Sequence, residues 1–139
     1  MPTTEKAGFE LDRRLEADSE PLQWLGLCEL RLMNDSRWPW VILVPQRAGI
    51  DELHDLTPLD QAMLTFETNL TAEALKRATG CLKINTAALG NVVRQLHVHV
   101  VARSERDPNW PGPVWGYGPR EPYRRSEMHT LIGRIREAL

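Results

Sequence analysis

The chain has 139 residues, 42% of them apolar and 26% charged, with a formal net charge of −2. That length fits one domain, 1–139, with one sizeable core, and the slight acidic balance excludes broad binding to nucleic acid or a membrane surface, which needs a basic excess. No apolar run approaches the about 18 residues of a membrane span. The N-terminus lacks the apolar stretch of a secretory signal, and Cys28 and Cys81 stand far apart, so a cytoplasmic protein with reduced thiols is expected.

Residues 1–8 read as loose. Leu11 and Leu15, four apart within 10–17, suit a short helix that Pro21 ends. Residues 22–33 read as one strand, with Cys28, Leu30 and Leu32 alternating with Glu29, Arg31 and Met33 and a bulge at Gly26. After the turn 34–37, Trp38-Pro39-Trp40 leads into Val41-Ile42-Leu43-Val44, a continuously apolar central strand closed by Pro45. The two runs form an antiparallel hairpin. Beyond a connector, Thr57 is placed to cap a helix over 57–79, with Pro58 at its first position and Asp60 near the positive end of its dipole. Leu59, Met63, Phe66, Leu70 and Ala74 recur along it at helical spacing, and Gly80 stops it.

Residues 81–85 are expected to form a further strand with Leu82 and Ile84 inward, and 86–91 a loop containing Gly90. A strand is then predicted over 92–103. Residues 104–122 are dense in Pro, Gly and Trp, either capping the core or walling an active face. The chain closes in a helix with Met128, Leu131, Ile132, Ile135 and Leu139 on one side. Helix, hairpin, long helix, hairpin and tail helix make an α+β fold, an antiparallel sheet of about five strands with the long and C-terminal helices packed on it.

The strand over 92–103 carries the chemistry. Gln95, His97 and His99 alternate with Leu96, Val98 and Val100. Same-face residues on a strand recur about every 6.5–7 Å, so two imidazoles and an amide share one rigid track backed by aliphatic packing. Such a face either looks at solvent or forms a site. His54 and His129 have no such context and are expected at the surface.

This stretch resembles the signature of the histidine triad (HIT) family, in which three histidines alternate with apolar residues. Gln95 holds the first position, His97 the middle one and His99 the third. Further landmarks follow in order over about residues 9–104: Asn34 after the first strand, Val41-Ile42-Leu43-Val44-Pro45, Leu56-Thr57-Pro58, Lys83-Ile84-Asn85 and Gly90-Asn91. The resemblance implies a nucleotide hydrolase or nucleotidyl transferase acting at an α-phosphate. His97 would attack phosphorus to form a nucleotidyl-histidine, and water or an acceptor would break it. His99 would hydrogen-bond a phosphate oxygen or deliver a proton.

Gln95 can hold the row together but cannot exchange a proton. By the same resemblance, Asn34 faces the ribose hydroxyls, Trp40 the base, and Asn85, Gly90 and Asn91 the phosphates. Asn91 and Val92 replace the Gln and the Ser or Thr usual in the family. A purine nucleotide or nucleotide conjugate is the implied partner, in a homodimer formed through the long helix and an adjoining strand, with no cofactor and no metal. The alternatives are a nucleotide-binding module of the same fold with weak or no catalysis, and a metal enzyme using His97-x-His99 as ligands.

Overall fold

The computed structural model describes residues 8–139, so the expected loose N-terminus lies, but for Gly8, outside the described residues. Among the described residues the chain forms five antiparallel strands: β1 (Ser19–Trp24), β2 (Cys28–Met33), β3 (Trp40–Pro45), β4 (Lys83–Ala87) and β5 (Val98–Arg103). They lie in the order β1-β2-β3-β5-β4, so β4 is an edge and β5 is paired on both sides. Three α-helices accompany them: α1 (Arg13–Ala17), α2 (Pro58–Thr79) and α3 (Arg125–Ala138). This is the α+β arrangement expected from the sequence.

The sheet is covered on both faces. Below it, Leu30, Leu32, Val41, Leu43, Val98 and Val100 pack with Leu64 and Leu75 of α2 and with Ile132 and Ile135 of α3. Above it, Trp40, Ile42, Val44 and Val101 meet Phe9, Leu15, Trp38 and Val114. The upper layer comes from the N-terminal segment, α1 and the Trp-rich loop.

The run 22–33 is two strands rather than one. Leu25 N–H donates to the Cys28 carbonyl at 2.8 Å, which closes a tight turn between β1 and β2 around Gly26. The bulge falls between Pro21 and Gln23 instead. Pro21 lies inside β1, where an edge strand tolerates its missing N–H. The turn is closed from a distance: Glu67 on α2, 2% exposed, accepts from Leu27 N–H at 2.8 Å and Cys28 N–H at 2.9 Å. Glu67→Gln keeps the volume but sets an NH2 against one of those donors. A buried unsatisfied donor costs about 1–3 kcal/mol, so denaturant unfolding of this variant should show a loss of about 2 kcal/mol.

The α2 boundaries are those read from the sequence. Thr57 Oγ1 accepts from Asp60 N–H at 3.1 Å, and Gly80 takes a left-handed φ of 67°. Its buried face is so only in part: of the expected residues Ala74 is buried and Met63 and Leu70 are half-buried. Leu64, Glu67, Thr71, Ala74 and Leu75 face the sheet, while Leu59 and Phe66 are 73% and 62% exposed. Recruiting the Glu67 carboxylate to the turn fixes this rotation. Leu82 is likewise outward, and Ile84 is half-buried. α1 starts at Arg13 on an Asp12 cap whose carboxylate accepts from Arg14 N–H at 2.8 Å. The last strand starts at Val98, so 92–97 is an irregular approach with bends at Val92 and Gln95 rather than strand. Leu96 N–H in this approach donates to the Ile50 carbonyl of the connector at 3.0 Å. Among the described residues no helix is long and apolar enough to cross a membrane.

Candidate active site

His99 sits on β5, opposite Ile42 of β3 and Ala87 of β4. His97 precedes it by one pleat, on the same upper face. The two rings meet edge to face with centroids 4.8 Å apart. Both residues are buried, at 5% and 6% exposure.

Each ring has its tautomer set by a neighbour. His97 Nδ1 lies 2.7 Å from the Gln95 carbonyl, which only accepts, so Nδ1 carries the proton and Nε2 the lone pair. Trp40 Nε1–H donates to His99 Nδ1 at 2.9 Å, so the His99 proton is on Nε2. The pair presents one lone pair and one N–H, a nucleophile beside a hydrogen-bond donor.

Burial lowers the His97 pKa below its usual 6.5, opposed by the Gln95 carbonyl and the Asp12 carboxylate. Burial, together with His97 alongside, lowers His99 to about 3. Both rings are therefore neutral at pH 7. The unfolded chain binds a proton at a histidine below about pH 6.5, and the folded chain resists it. Stability is thus intact above pH 6.5 and falls as pH drops toward 3, by up to about 1.4 kcal/mol per pH unit at His99. Between pH 7.5 and pH 5, urea unfolding of His99→Gln should lose about 2 kcal/mol less than the wild type.

Gln95 is a clasp for the N-terminal segment. Its Oε1 accepts from Asp12 N–H at 2.9 Å, and its Nε2 donates to the Glu10 carbonyl at 2.8 Å. One amide thereby reproduces the donor and acceptor of a strand and ties 10–12 to the approach to β5.

Trp40 is buried at 8% exposure between Trp38 and Trp115, whose ring centroids both lie 6.1 Å away. It holds His99 as described and also lines a hollow of about 220 Å³ with Asn34, Arg37, Tyr117 and Arg120. Asn34 Oδ1 accepts from Tyr123 N–H at 2.9 Å, which anchors the start of the tail. Gly90 and Asn91 line a second hollow of about 410 Å³ with Asp51, Glu52, Arg94 and Leu96. A Cβ on Gly90 would stand 2.8 Å from the Val93 carbonyl, so this approach requires glycine. Asn85 is turned to Arg103, whose Nη1 donates to its Oδ1 at 3.0 Å.

The structure therefore brings together Gln95, His97, His99 and Trp40, with Asn34 in the hollow beside Trp40. Gly90 and Asn91 lie along a separate hollow, and Asn85 serves the Arg103 cluster. His54 and His129 are exposed. Trp115 was not singled out from the sequence beyond its place in the Trp-rich loop, yet its ring stands 5.5 Å from His99. The loop both caps the core and walls the site. Among the described residues no group of three or more His, Cys, Asp or Glu stands together as a metal site.

Two neutral imidazoles of opposite tautomer, His99 on a doubly paired strand of an open α+β sheet and His97 just before that strand begins, define a histidine-centred site. The HIT domain model matches residues 14–106, and the chain belongs to the HIT family. It is 67% identical to a HIT protein of Sinorhizobium meliloti 1021, with a TM-score of 0.93 over 94% of this chain and 97% of that one. A histidine triad protein of Marinobacter aquaeolei VT8 is 43% identical, with a TM-score of 0.92 over 96% and 97% of the two chains. One of Bradyrhizobium japonicum is 38% identical, with a TM-score of 0.92 over 94% and 98%. Comparison with curated proteins gave no match.

Proposed function

We propose that this protein is a nucleotide hydrolase or nucleotidyl transferase acting at the α-phosphate of a purine nucleotide or nucleotide conjugate. The observation that carries this reading is the 2.7 Å contact of His97 Nδ1 with the Gln95 carbonyl, which leaves Nε2 as a fixed lone pair. His97 attacks phosphorus and carries the nucleotidyl group. His99 Nε2–H donates to a phosphate oxygen and stabilises the charge that builds there. Gln95 positions His97 through its own carbonyl. The nucleoside occupies the hollow beside Asn34 and Trp40, and the phosphates run past His97 toward Gly90 and Asn91.

A second reading, a nucleotide-binding module with weak turnover, is favoured by the 5% exposure of His97, which leaves little of the ring open to attack. A panel of dinucleoside polyphosphates and nucleoside phosphoramidates, with and without chelator, separates the two. Turnover that survives chelation supports the enzyme, and tight binding without turnover supports the module.

The working form is a homodimer in the cytoplasm, where the free and buried Cys28 and Cys81 stay reduced. Leu59 and Phe66 leave an exposed apolar face on α2, and a groove of about 380 Å³ lined by Leu53, Leu64 and Thr86 runs between α2 and the edge strand β4. Burying these on a second copy would extend the sheet. Light scattering at micromolar concentration tests it, and a monomer would contradict it.

A further inference from the structure

In the mechanism proposed above, the bond that breaks is the one between phosphorus and the leaving group, and the departing atom needs either a proton or enough stability to leave without one. Every side chain around His97 can be checked for that proton. Gln95, in the first triad position, has its carboxamide engaged at both ends, by Asp12 N–H and the Glu10 carbonyl, and an amide does not give up a proton near pH 7. His97 donates its one proton to the Gln95 carbonyl, and its lone pair is consumed by the attack.

His99 is the remaining imidazole. To act as an acid it must begin as imidazolium, with hydrogen on both nitrogens. Its Nδ1 faces Trp40 Nε1–H at 2.9 Å, and indole nitrogen only donates. A proton there would set two donors head to head in a buried contact. Trp40 is packed against Trp38, Trp115 and His99, which holds its indole in this contact. The Asp12 carboxyl is held below its usual range by its hydrogen bonds from Arg14, so it stays ionised, and an arginine does not deprotonate.

We propose that this site selects its substrate by leaving group: it transfers a nucleotidyl group from oxygen leaving groups that depart as stable anions, such as phosphates, carboxylates and phenolates, and fails on alkylamine phosphoramidates, because among the described residues no side chain beside His97 can protonate the departing atom. This rests on His97 being the nucleophile. The His97 Nε2 lone pair forms the phosphorus–nitrogen bond. The phosphorus–oxygen bond breaks and its electron pair leaves with the oxygen, which takes a proton from solvent only if its basicity calls for one. The nucleotidyl-imidazolium keeps Nδ1–H on the Gln95 carbonyl. Water then attacks phosphorus, the phosphorus–nitrogen pair returns to Nε2, and the water proton passes to solvent. An alkylamine in the same step would have to leave as an amide anion. His99 Nε2–H and Trp40 thus serve charge on the phosphate, and Trp40 is a positioning residue that decides what His99 can do.

The test is single-turnover cleavage, at pH 7.5, of three adenosine monophosphate derivatives: the 4-nitrophenyl ester, the phenyl ester and the phosphoramidate of a primary alkylamine. General acid catalysis is worth about 10²–10⁴ in rate. The nitrophenyl ester should therefore react about a thousandfold faster than the phosphoramidate, with the phenyl ester between and with similar affinities for all three. Cleavage of the phosphoramidate within about tenfold of the nitrophenyl ester would overturn the proposal while leaving His97 as nucleophile. No reaction with any of the three would overturn both. In Trp40→Phe, which removes the indole donor facing His99 Nδ1, the gap should narrow about tenfold or more as pH falls from 7.5 to 4, toward the His99 value of about 3. An unchanged gap in a folded Trp40→Phe protein would contradict the role given to Trp40.

Discussion

His97→Ala should lower kcat/KM for nucleotide cleavage by about a thousandfold or more, with nucleotide affinity nearly unchanged. Removing a nucleophile abolishes the covalent route and leaves only binding and electrostatic stabilisation. The ring sits at the end of the approach to β5, and among the described residues its one hydrogen-bond partner is the Gln95 carbonyl. Its loss therefore leaves that carbonyl to water rather than breaking a network. His99→Leu should cost less, about a hundredfold, because it removes one donor to developing charge and leaves the attack intact. Equal losses in the two variants, or a His97→Ala protein with wild-type kcat, would refute the division of roles. Circular dichroism and a thermal melt for each variant show whether the comparison is made on folded protein.

Arg103→Met should carry the largest cost in stability, about 3 kcal/mol, or about 10 °C in Tm for a chain of this size. Arg103 is 1% exposed and all of its guanidinium is engaged. Nε and Nη2 form a forked pair with Asp107 at 2.8 and 2.9 Å, and Nη1 reaches Asn85 at 3.0 Å. Its plane also lies 5.5 Å from the Trp110 ring. Methionine replaces the stem but leaves the Asp107 carboxylate, 13% exposed, without its counter-ion. The Asp107 carboxylate in turn fixes Ser104 N–H at 3.0 Å, and Trp38 Nε1–H holds the Pro108 carbonyl at 3.0 Å. The damage should therefore spread along the loop that carries Trp115 to His99. Activity is expected to fall with stability, in contrast to His97→Ala, where stability holds and activity goes. A Tm within about 2 °C of wild type would show that the cluster is dispensable.

The parts of the fold that were legible in the sequence are those set by local chemistry. Thr57, Pro58 and Gly80 mark the ends of α2 because a cap, a proline at the first position and a left-handed glycine act within a few residues. The β3 strand was legible because an unbroken apolar run, mostly β-branched, suits a strand buried on both faces. What escaped depends on partners far along the chain. The β1–β2 turn is closed by Glu67, about forty positions later, and the same carboxylate rotates α2 so that Leu59 and Phe66 face outward. Hydrophobic periodicity weighs a glutamate as solvent-facing and so selected a stripe that is buried only in part.

The site divides in the same way. The alternation Gln95, His97, His99 was enough to put both imidazoles on one face. The tautomers were not legible, because they come from a backbone carbonyl and from Trp40, whose indole was expected at the base. Gln95 looked like a weakened histidine when read alone. Beside Glu10 and Asp12 it is a two-ended clasp, and only the fold brings those residues, 85 and 83 positions away, into reach. Asn85 carried the right pattern for a phosphate contact, but its carboxamide oxygen is taken by Arg103.

In the proposed reaction one neutral imidazole nitrogen, His97 Nε2, becomes bonded to phosphorus. The most direct measurement is rapid acid-free quenching of the protein with an adenosine monophosphate 4-nitrophenyl ester, followed by intact mass and peptide mapping. A mass gain of one adenylyl group, on the peptide bearing His97 and absent in His97→Ala, is the result expected. Stoichiometric release of 4-nitrophenol with no adduct at any quench time, or an adduct that persists in His97→Ala, would contradict it.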